Sequence, residues 1–250
     1  MSIILPTVPK EATPHSPRIL VLYGLPKVGK TEFCSRLPNN LIIELDPHGA
    51  EQVGGFSYQV NNLSELTEVG REIIKANSPY KYVTIDTIST LEEWCDEDAT
   101  TMYMNSTVGK SFNRYDDGPK IGQLKPKSEW ESVLTLTKGA GYFWLRLSIH
   151  KWLDKFMLLA PYIILIAHIK EISLEKQGKE VSVKDLDLTG KIRGIISGEA
   201  AAIGYMYRSG TKGENLRISF QSNDSIICGA RSMHLRGQDI EADWNKIYIQ

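Results

Sequence analysis

Short apolar runs alternate with amphipathic stretches along the first two thirds of the chain. Each run is bounded by turn-forming residues, which is typical of a strand buried on both faces. The runs lie at residues 18–23, 41–45, 80–86 and 162–168. Between them apolar positions recur at helical spacing, as over 145–159, where Pro161 is expected to end the helix. This alternation predicts a parallel sheet covered by helices.

Two capping signals indicate where helices begin. Asn62 with Glu65 predicts one helix, and Ser89 with Glu92 predicts another after the third apolar run. In such a pair the first side chain accepts a hydrogen bond from the backbone N–H of the second residue, whose own side chain reaches back.

The pattern changes after residue 168 from alternating strands and helices to strands joined by glycine-containing turns. The predicted strand pairs are 171–176 with 180–184, and 203–208 with 216–221. The sequence therefore predicts one α/β domain over 18–250, with a mostly parallel central sheet and antiparallel C-terminal strands. Residues 1–17 contain four prolines and predict an extended arm, which either is a mobile tail or packs on a neighbouring subunit.

The strongest chemical signal is a phosphate-binding loop. Residues 24–31 read GLPKVGKT, which fits G-x-x-x-x-G-K-T, and they lie between a predicted strand and a predicted helix. Lys30 is expected to reach the β- and γ-phosphates, and the Thr31 hydroxyl to ligate Mg²⁺. The predicted nucleotide contacts are Gly24, Leu25, Pro26, Lys27, Val28, Gly29, Lys30, Thr31 and Glu32.

Carboxylates at two other strand ends complete the expected site. Asp86 ends the third apolar run and would hold Mg²⁺. Many such ATPases place a water-orienting glutamate directly after this aspartate, but Thr87 stands here. Glu44 and Asp46 are the alternatives, because parallel strands bring their carboxyl ends to one edge. We favour Asp46, although it could instead only shape the turn with Pro47.

Several basic residues could act on the γ-phosphate. His168 ends the fourth run, where its imidazole could sense the phosphate and move the following segment; a structural hydrogen bond is the alternative. Others could reach a neighbouring subunit's phosphate as an arginine finger does, or could be ordinary surface charges. These candidates are Lys191, Arg193, Arg208 and Arg231.

Residues 105–128 are polar and rich in Gly, Lys and Asp, and predict a long basic loop. Five cations against Asp116 and Asp117 give a local charge of 5 − 2 = +3, with Phe112 and Tyr115 among them. The cations are Lys110, Arg114, Lys120, Lys125 and Lys127. Charge interleaved with aromatic rings suits a single nucleic-acid strand, and an ordinary solvated loop is the alternative.

Composition narrows the choice of partner. The net charge of −1 over 250 residues implies no overall attraction to nucleic acid or membrane, so a nucleic-acid site must be a local patch.

Cys34, Cys95 and Cys228 are widely spaced, which argues against a zinc site or a disulfide scaffold and favours reduced thiols. No apolar run is long enough to cross a bilayer, and the N-terminus lacks a secretory pattern.

Taken in order, these motifs resemble the RecA-like ATPases encoded by bacteriophages, a group that includes single-strand-annealing recombinases and phage nucleotide-binding proteins. The matching segments are 24–31, 44–46, 85–89, 167–170, 188–191 and 229–231, and the resemblance covers residues 18–235. It implies a RecA-like P-loop core, and ATP with Mg²⁺ bound between subunits of a ring or filament. By position, Asp46 matches the family's water-activating carboxylate, usually Glu, and His168 matches a residue that couples the phosphate to DNA-binding loops.

The resemblance also implies a function. We expect an ATP-hydrolysing, DNA-stimulated recombination protein that binds single-stranded DNA and promotes annealing or strand exchange in the cytoplasm of a phage-infected bacterium. A single-strand-binding protein is a candidate partner. The alternatives are a helicase loader or packaging accessory, a nucleotide-switched binding module that hardly hydrolyses, and a small-molecule kinase, for which the usual Arg-rich lid is missing.

Overall fold

A computed structural model describes residues 13–47, 53–112, 132–176, 179–223 and 225–249, together with Leu5, Thr7 and Gly49. The first part of the chain supplies β1 (Ile19–Gly24), β2 (Asn40–Glu44), β3 (Phe56–Gln59), β4 (Tyr82–Asp86) and β5 (Tyr162–Ala167). Its helices are α1 (Lys30–Ser35), α2 (Leu63–Lys75), α3 (Ile88–Asn105), α4 (Thr107–Phe112) and α5 (Gly141–Phe156). The four apolar runs are all strands, as predicted, and α5 ends at Phe156, ahead of Pro161.

The second part of the chain is richer in strands. It supplies β6 (Ile169–Lys176), β7 (Lys179–Leu186), β8 (Ala202–Ser209), β9 (Asn215–Ser219), β10 (Gly229–Ala230) and β11 (Asp239–Glu241). The helices here are α6 (Ile192–Glu199) and α7 (Trp244–Ile247). Both predicted strand pairs are confirmed, since β6 pairs antiparallel with β7 and β8 pairs antiparallel with β9.

The central sheet in the described ranges has the order β11-β9-β8-β1-β5-β4-β2-β3, with β10 beside β8. The pairs from β8 through β3 are parallel, and the pairs that involve β9, β10 and β11 are antiparallel. The predicted fold class is therefore confirmed. Parallel strands require crossover helices, and these cover both faces.

Strand β1 shows how the core is divided between the two faces. Val21 packs in the cluster that contains residues of α3 and α5, whereas Leu22 packs in the cluster that contains residues of α1. Both side chains are fully buried, because successive side chains in a strand point to opposite faces and here each face carries helices. The site described below lies where these buried strands end.

One predicted cap is confirmed and the other is wrong. The Asn62 side chain accepts a hydrogen bond from the Glu65 N–H at 2.9 Å at the start of α2. Helix α3 instead begins after Thr87, so Ser89 and Glu92 lie inside it. The local pattern fails because both side chains bond to a distant segment: Ser89 Oγ donates to the Asp187 carbonyl, and Glu92 accepts from the Thr189 N–H.

The start of the predicted loop 105–128 is helical in the structure. Asn105 ends α3 and residues 107–112 form α4, because the Ser106 side chain accepts from the Gly109 N–H at 3.0 Å and so caps the helix. The remainder of that segment, from 113 onward, lies outside the described residues, as does most of the predicted arm. None of the helices that the structure describes is long and apolar enough to span a membrane.

Candidate functional site

The phosphate-binding loop connects β1 to α1 at the carboxyl edge of the sheet. Gly24 lies against the neighbouring strand β8, where a Cβ atom would come within 2.4 Å of the Met206 carbonyl oxygen. Gly29 has φ = 114°, in the left-handed region that favours glycine. The two glycines of the motif are therefore both required by the geometry, one for a close approach and the other for its dihedral angle.

Lys30 lies within its own loop. Its ammonium donates to the Gly24 carbonyl at 2.9 Å and to the Leu25 carbonyl at 3.0 Å. The side chain is buried, and burial lowers the pKa of Lys30 from its usual value, while Asp86 opposes that shift. The first residues of the loop thus hold the lysine close to where a phosphate would bind.

Thr31 and Asp86 meet across the gap between α1 and β4. Thr31 Oγ1 donates to Asp86 Oδ2 at 2.6 Å. Asp86 is only 5% exposed, and this burial, reinforced by nearby Asp46, raises the pKa of Asp86 to about 6. The Thr31 hydrogen bond and the Lys30 charge oppose the rise. The structure therefore brings these two sequence-predicted side chains into direct contact.

This pair fits a magnesium ion in its chemistry. A hydroxyl and a carboxylate supply hard oxygen ligands, and Mg²⁺ usually binds one or two protein oxygens together with waters and nucleotide phosphates. Within the described ranges no cluster of three or more His, Cys, Asp or Glu side chains could hold a metal by itself. The residues therefore suit an ion that arrives with a nucleotide better than a resident metal.

Asp46 lies two residues beyond β2 and faces the start of α3. Thr87 Oγ1 donates to Asp46 Oδ2 at 3.1 Å, and Thr90 Oγ1 donates to Oδ1. The adjacent His168 imidazole and these hydroxyls lower the pKa of Asp46, which keeps it ionised near neutral pH, although partial burial opposes them. Neither Thr87 nor Thr90 was predicted from the sequence as a hydrogen-bond partner of Asp46. The signal that could have indicated Thr87 is its position directly after Asp86, where many such ATPases carry a glutamate.

Glu44 is the other carboxylate on this strand. It pairs in register with Asp86 and is 5% exposed, whereas the Asp46 side chain is 34% exposed. A carboxylate that orients a water molecule must lie within hydrogen-bond reach of it. Water from the solvent reaches Asp46 more readily than the buried Glu44.

His168 follows β5 at the same edge of the sheet. Its Nε2 lies 3.8 Å from Asp46 Oδ2, and its Nδ1 is buried without a hydrogen-bond partner in the part of the chain that the structure describes. Its carbonyl accepts from the Asp187 N–H at 3.0 Å. His168 therefore contacts the candidate site on one side and the base of the β6–β7 hairpin on the other.

Three of the four proposed finger residues have partners within the chain: Arg193, Arg231 and Arg208. Arg193 Nη1 lies 2.9 Å from the buried Asp185 carboxylate, and Arg231 Nη2 donates to the Gly198 carbonyl at 2.6 Å. Lys191 is exposed just before α6. Arg208 lies against the phosphate loop of its own chain, where its Nε donates to the Val28 carbonyl at 3.0 Å.

The remaining sequence candidates lie on the surface or outside the described residues. Leu25 is exposed in the loop, and Glu32 pairs with Arg36 on the outer face of α1. Lys110 is exposed on α4. The other predicted DNA contacts lie outside the described residues: Arg114, Lys120, Lys125 and Lys127.

Comparison with known proteins identifies the family. A search of curated proteins found no match. A KaiC-like protein, PH0186, from the hyperthermophilic archaeon Pyrococcus horikoshii OT3 is 10% identical, with 90% of this chain and 84% of that chain covered at a TM-score of 0.43. A family model described as "AAA domain" matches residues 16–232. Since this match spans the strands and the phosphate loop described above, the chain belongs to the AAA_24 family of P-loop ATPase domains.

Proposed function

We propose that this protein hydrolyses ATP in the presence of Mg²⁺ and that Asp46 orients the attacking water. The observation that carries the proposal is the 2.6 Å hydrogen bond between Thr31 and Asp86 at the mouth of the phosphate loop. It brings together the hydroxyl and the carboxylate that a Mg²⁺–nucleotide complex requires. Asp46 lies two residues beyond β2, which pairs directly with the strand that carries Asp86.

Each residue then has a separate task. Backbone N–H groups of the loop bind phosphate oxygens, and Lys30 exchanges its bonds to Gly24 and Leu25 for bonds to the β- and γ-phosphates. Bound Mg²⁺ neutralises charge on the β- and γ-phosphate oxygens. Thr31 and Asp86 would hold that ion through their oxygens, in place of the hydrogen bond that they make to each other here.

Asp46 is suited to accept a hydrogen bond from water. Its lowered pKa leaves it ionised, and the Thr87 and Thr90 hydroxyls fix the orientation of its carboxylate. Orienting a water needs a carboxylate in a fixed position more than it needs a strong base. His168, at 3.8 Å, is placed to respond to charge near this carboxylate and to pass a movement to the β6–β7 hairpin.

Substitution of Asp46 tests the proposed role. Asp46→Asn keeps the shape of the side chain and should spare ATP binding while lowering turnover by about 10²-fold. Asp46→Glu keeps the charge and should retain turnover within about tenfold of wild type, since it resembles the carboxylate usual in such sites. Equal turnover in Asp46→Asn and wild type would move the role to another residue.

We further propose that hydrolysis is coupled to single-stranded DNA in a homo-oligomer that binds ATP between subunits. The support is the +3 charge and the aromatic residues of segment 105–128, together with the resemblance to phage recombinases. The described start of this segment, α4, exposes Lys110. DNA should therefore stimulate ATP turnover and enlarge the assembly.

A charge-matched comparison tests the DNA proposal. Replacing Lys120, Lys125 and Lys127 by Ala should weaken DNA binding. It should also make the slope of log K against log[salt] shallower, by the equivalent of about three phosphate contacts. The control replaces Lys75, Lys151 and Lys246, each of which pairs with an acidic side chain outside segment 105–128, and changes the net charge equally. An unchanged salt slope in the first variant, or equal slopes in both, would contradict the assignment.

A second candidate function is a nucleotide-switched binding module. Both oxygens of Asp46 are engaged by threonine hydroxyls, and Asp is one methylene shorter than the usual Glu. A carboxylate bound in this way could stabilise a nucleotide-bound state that does not hydrolyse ATP, instead of orienting a water molecule for attack. Tight binding of ATP with no phosphate release, with or without DNA, would favour this function.

A further inference from the structure

Arg208 connects the phosphate loop to the turn between β8 and β9. Its Nε donates to the Val28 carbonyl at 3.0 Å, and its Nη1 donates to the Gly213 carbonyl at 3.3 Å. The remaining nitrogen, Nη2, lies 3.3 Å from the position that a Cβ atom on Gly29 would occupy. One guanidinium therefore contacts the second half of the loop and a separate turn at the same time.

The bond to Val28 sets the direction of the Val28–Gly29 peptide. This peptide is trans, so its carbonyl and its N–H point in opposite directions. A carbonyl drawn toward Arg208 leaves the Gly29 N–H facing away from Arg208. Because glycine has no Cβ atom, Gly29 can adopt positive or negative φ with similar ease, and the hydrogen bond from Arg208 favours one orientation of this peptide.

Arg208 lies on β8, a strand that is paired on both sides, with β1 and with β9. Strand β8 pairs in parallel with β1, and the register places Met206 beside Gly24. Arg208 follows two residues later, at the edge of the sheet where the loop begins. The absence of a side chain at Gly24 allows the close approach of the two strands, so the position of Arg208 relative to the loop is determined by the sheet.

We propose that Arg208 is a positioning residue for nucleotide binding in its own subunit, which fixes the Val28–Gly29 peptide so that the Gly29 N–H faces the bound phosphate. This inference rests on the proposed function and adds a residue to the same site. It also replaces the expectation that Arg208 acts on a neighbour's phosphate, since two of its nitrogens are engaged with carbonyls of its own chain. Arginine suits the task because its planar fork bonds two carbonyls at once, whereas a lysine ammonium on its flexible stem is not pre-organised for both.

Three variants test this proposal. Arg208→Ala should raise the Kd for both Mg–ADP and Mg–ATP by about tenfold, the effect of one misdirected hydrogen bond to a charged group. Arg208→Lys should recover part of that loss, because its ammonium can still reach Val28. Arg71→Ala is the control, since Arg71 is an exposed arginine on α2 that pairs with Glu68 far along the sequence from the loop.

The readouts separate positioning from simple stability. In Arg208→Ala the KM for ATP should rise while kcat at saturation stays near that of wild type, and circular dichroism without nucleotide should show the same folded state as in Arg71→Ala. Unchanged affinity for ADP in Arg208→Ala would overturn the inference, as would an affinity loss in Arg208→Lys equal to that in Arg208→Ala. If Lys30→Ala abolishes binding while Arg208→Ala leaves it intact, the inference fails and the proposed function stands; a wild-type protein that binds no nucleotide would overturn both.

Discussion

The Glu92 carboxylate accepts a hydrogen bond from the Thr189 backbone N–H, with both oxygens 3.0 Å from that nitrogen. Glu92 is buried on α3, and Thr189 lies in the segment after the β6–β7 hairpin. Burial raises the pKa of Glu92 while the bond from Thr189 lowers it. The contact ties the helix that follows Asp86 to the hairpin that follows His168, so the two sides of the site are held at a fixed separation.

Removing this tie should destabilise the fold. Glu92→Ala leaves the Thr189 N–H without its acceptor and should lower the free energy of unfolding by about 1–3 kcal/mol. Glu92→Gln keeps one acceptor oxygen and should lose less. Urea denaturation of both, beside Glu97→Ala as an exposed control on the same helix, measures the difference. A Glu92→Ala protein as stable as the control would show that the contact contributes nothing.

Asp86 should make the nucleotide-free protein less stable as pH rises. The folded-state pKa of Asp86, about 6, lies above the usual aspartate value. The stability that the protonated carboxyl contributes is therefore fully present below about pH 4 and is lost as the pH rises through 6. Asp86→Asn should therefore be more stable than wild type at pH 7 without Mg²⁺, by about 1–3 kcal/mol, with a gap that narrows toward pH 4.

Mg–ATP should reverse that order. Wild type should gain unfolding free energy on addition of Mg–ATP, and Asp86→Asn should gain much less because it lacks the charged ligand. Thermal denaturation with and without Mg–ATP provides the measurement. An equal gain in the two proteins would remove Asp86 from the metal site.

His168 should control the acid limb of the pH–rate profile. Turnover falls at low pH when Asp46 takes up a proton, and the imidazole helps keep the pKa of Asp46 below its usual value. His168→Ala should raise that pKa, so the fall should begin at higher pH than in wild type. The profile is measured at saturating Mg²⁺, with His150→Ala as an exposed histidine control. Superimposable acid limbs in the His168 variant and wild type would separate His168 from Asp46.

Gly24 should not accept a side chain. The Cβ atom of Gly24→Ala would lie 2.4 Å from the Met206 carbonyl oxygen, so β1 and β8 would have to separate. We expect a loss of about 1–3 kcal/mol in unfolding free energy, together with weaker nucleotide binding. Gly54→Ala is the control, because nothing lies within 4 Å of its Cβ position. Equal stability of the two variants would contradict the close strand contact.

The elements that sequence analysis predicted are those with local signals. Buried strands are continuous apolar runs, and the phosphate loop has a fixed spacing that leads directly from strand to helix. Strand β3 (Phe56–Gln59) was missed because it lies at the sheet edge and all four of its side chains are exposed, so no apolar run marks it. The cap at Ser89 and Glu92 was predicted wrongly because tertiary contacts overrode the local pattern.

The arrangement of the site was predictable only in part. Asp46 and Asp86 could be placed together because both follow parallel strands, and those strands are neighbours in the sheet. The position of Arg208 depends instead on β8 lying beside β1, and no local pattern fixes that pairing. Long-range strand order therefore determined which basic residue contacts the loop.

The most direct test of the account is phosphate release under saturating Mg–ATP by wild type and by Lys30→Ala. Lys30 Nζ lies 2.9 Å from the Gly24 carbonyl oxygen within the loop. Wild type should show measurable turnover, and a Lys30→Ala protein that retains its fold by circular dichroism should lose at least about 10²-fold. Turnover by Lys30→Ala at the wild-type rate would contradict the claim that this loop is the site of ATP hydrolysis.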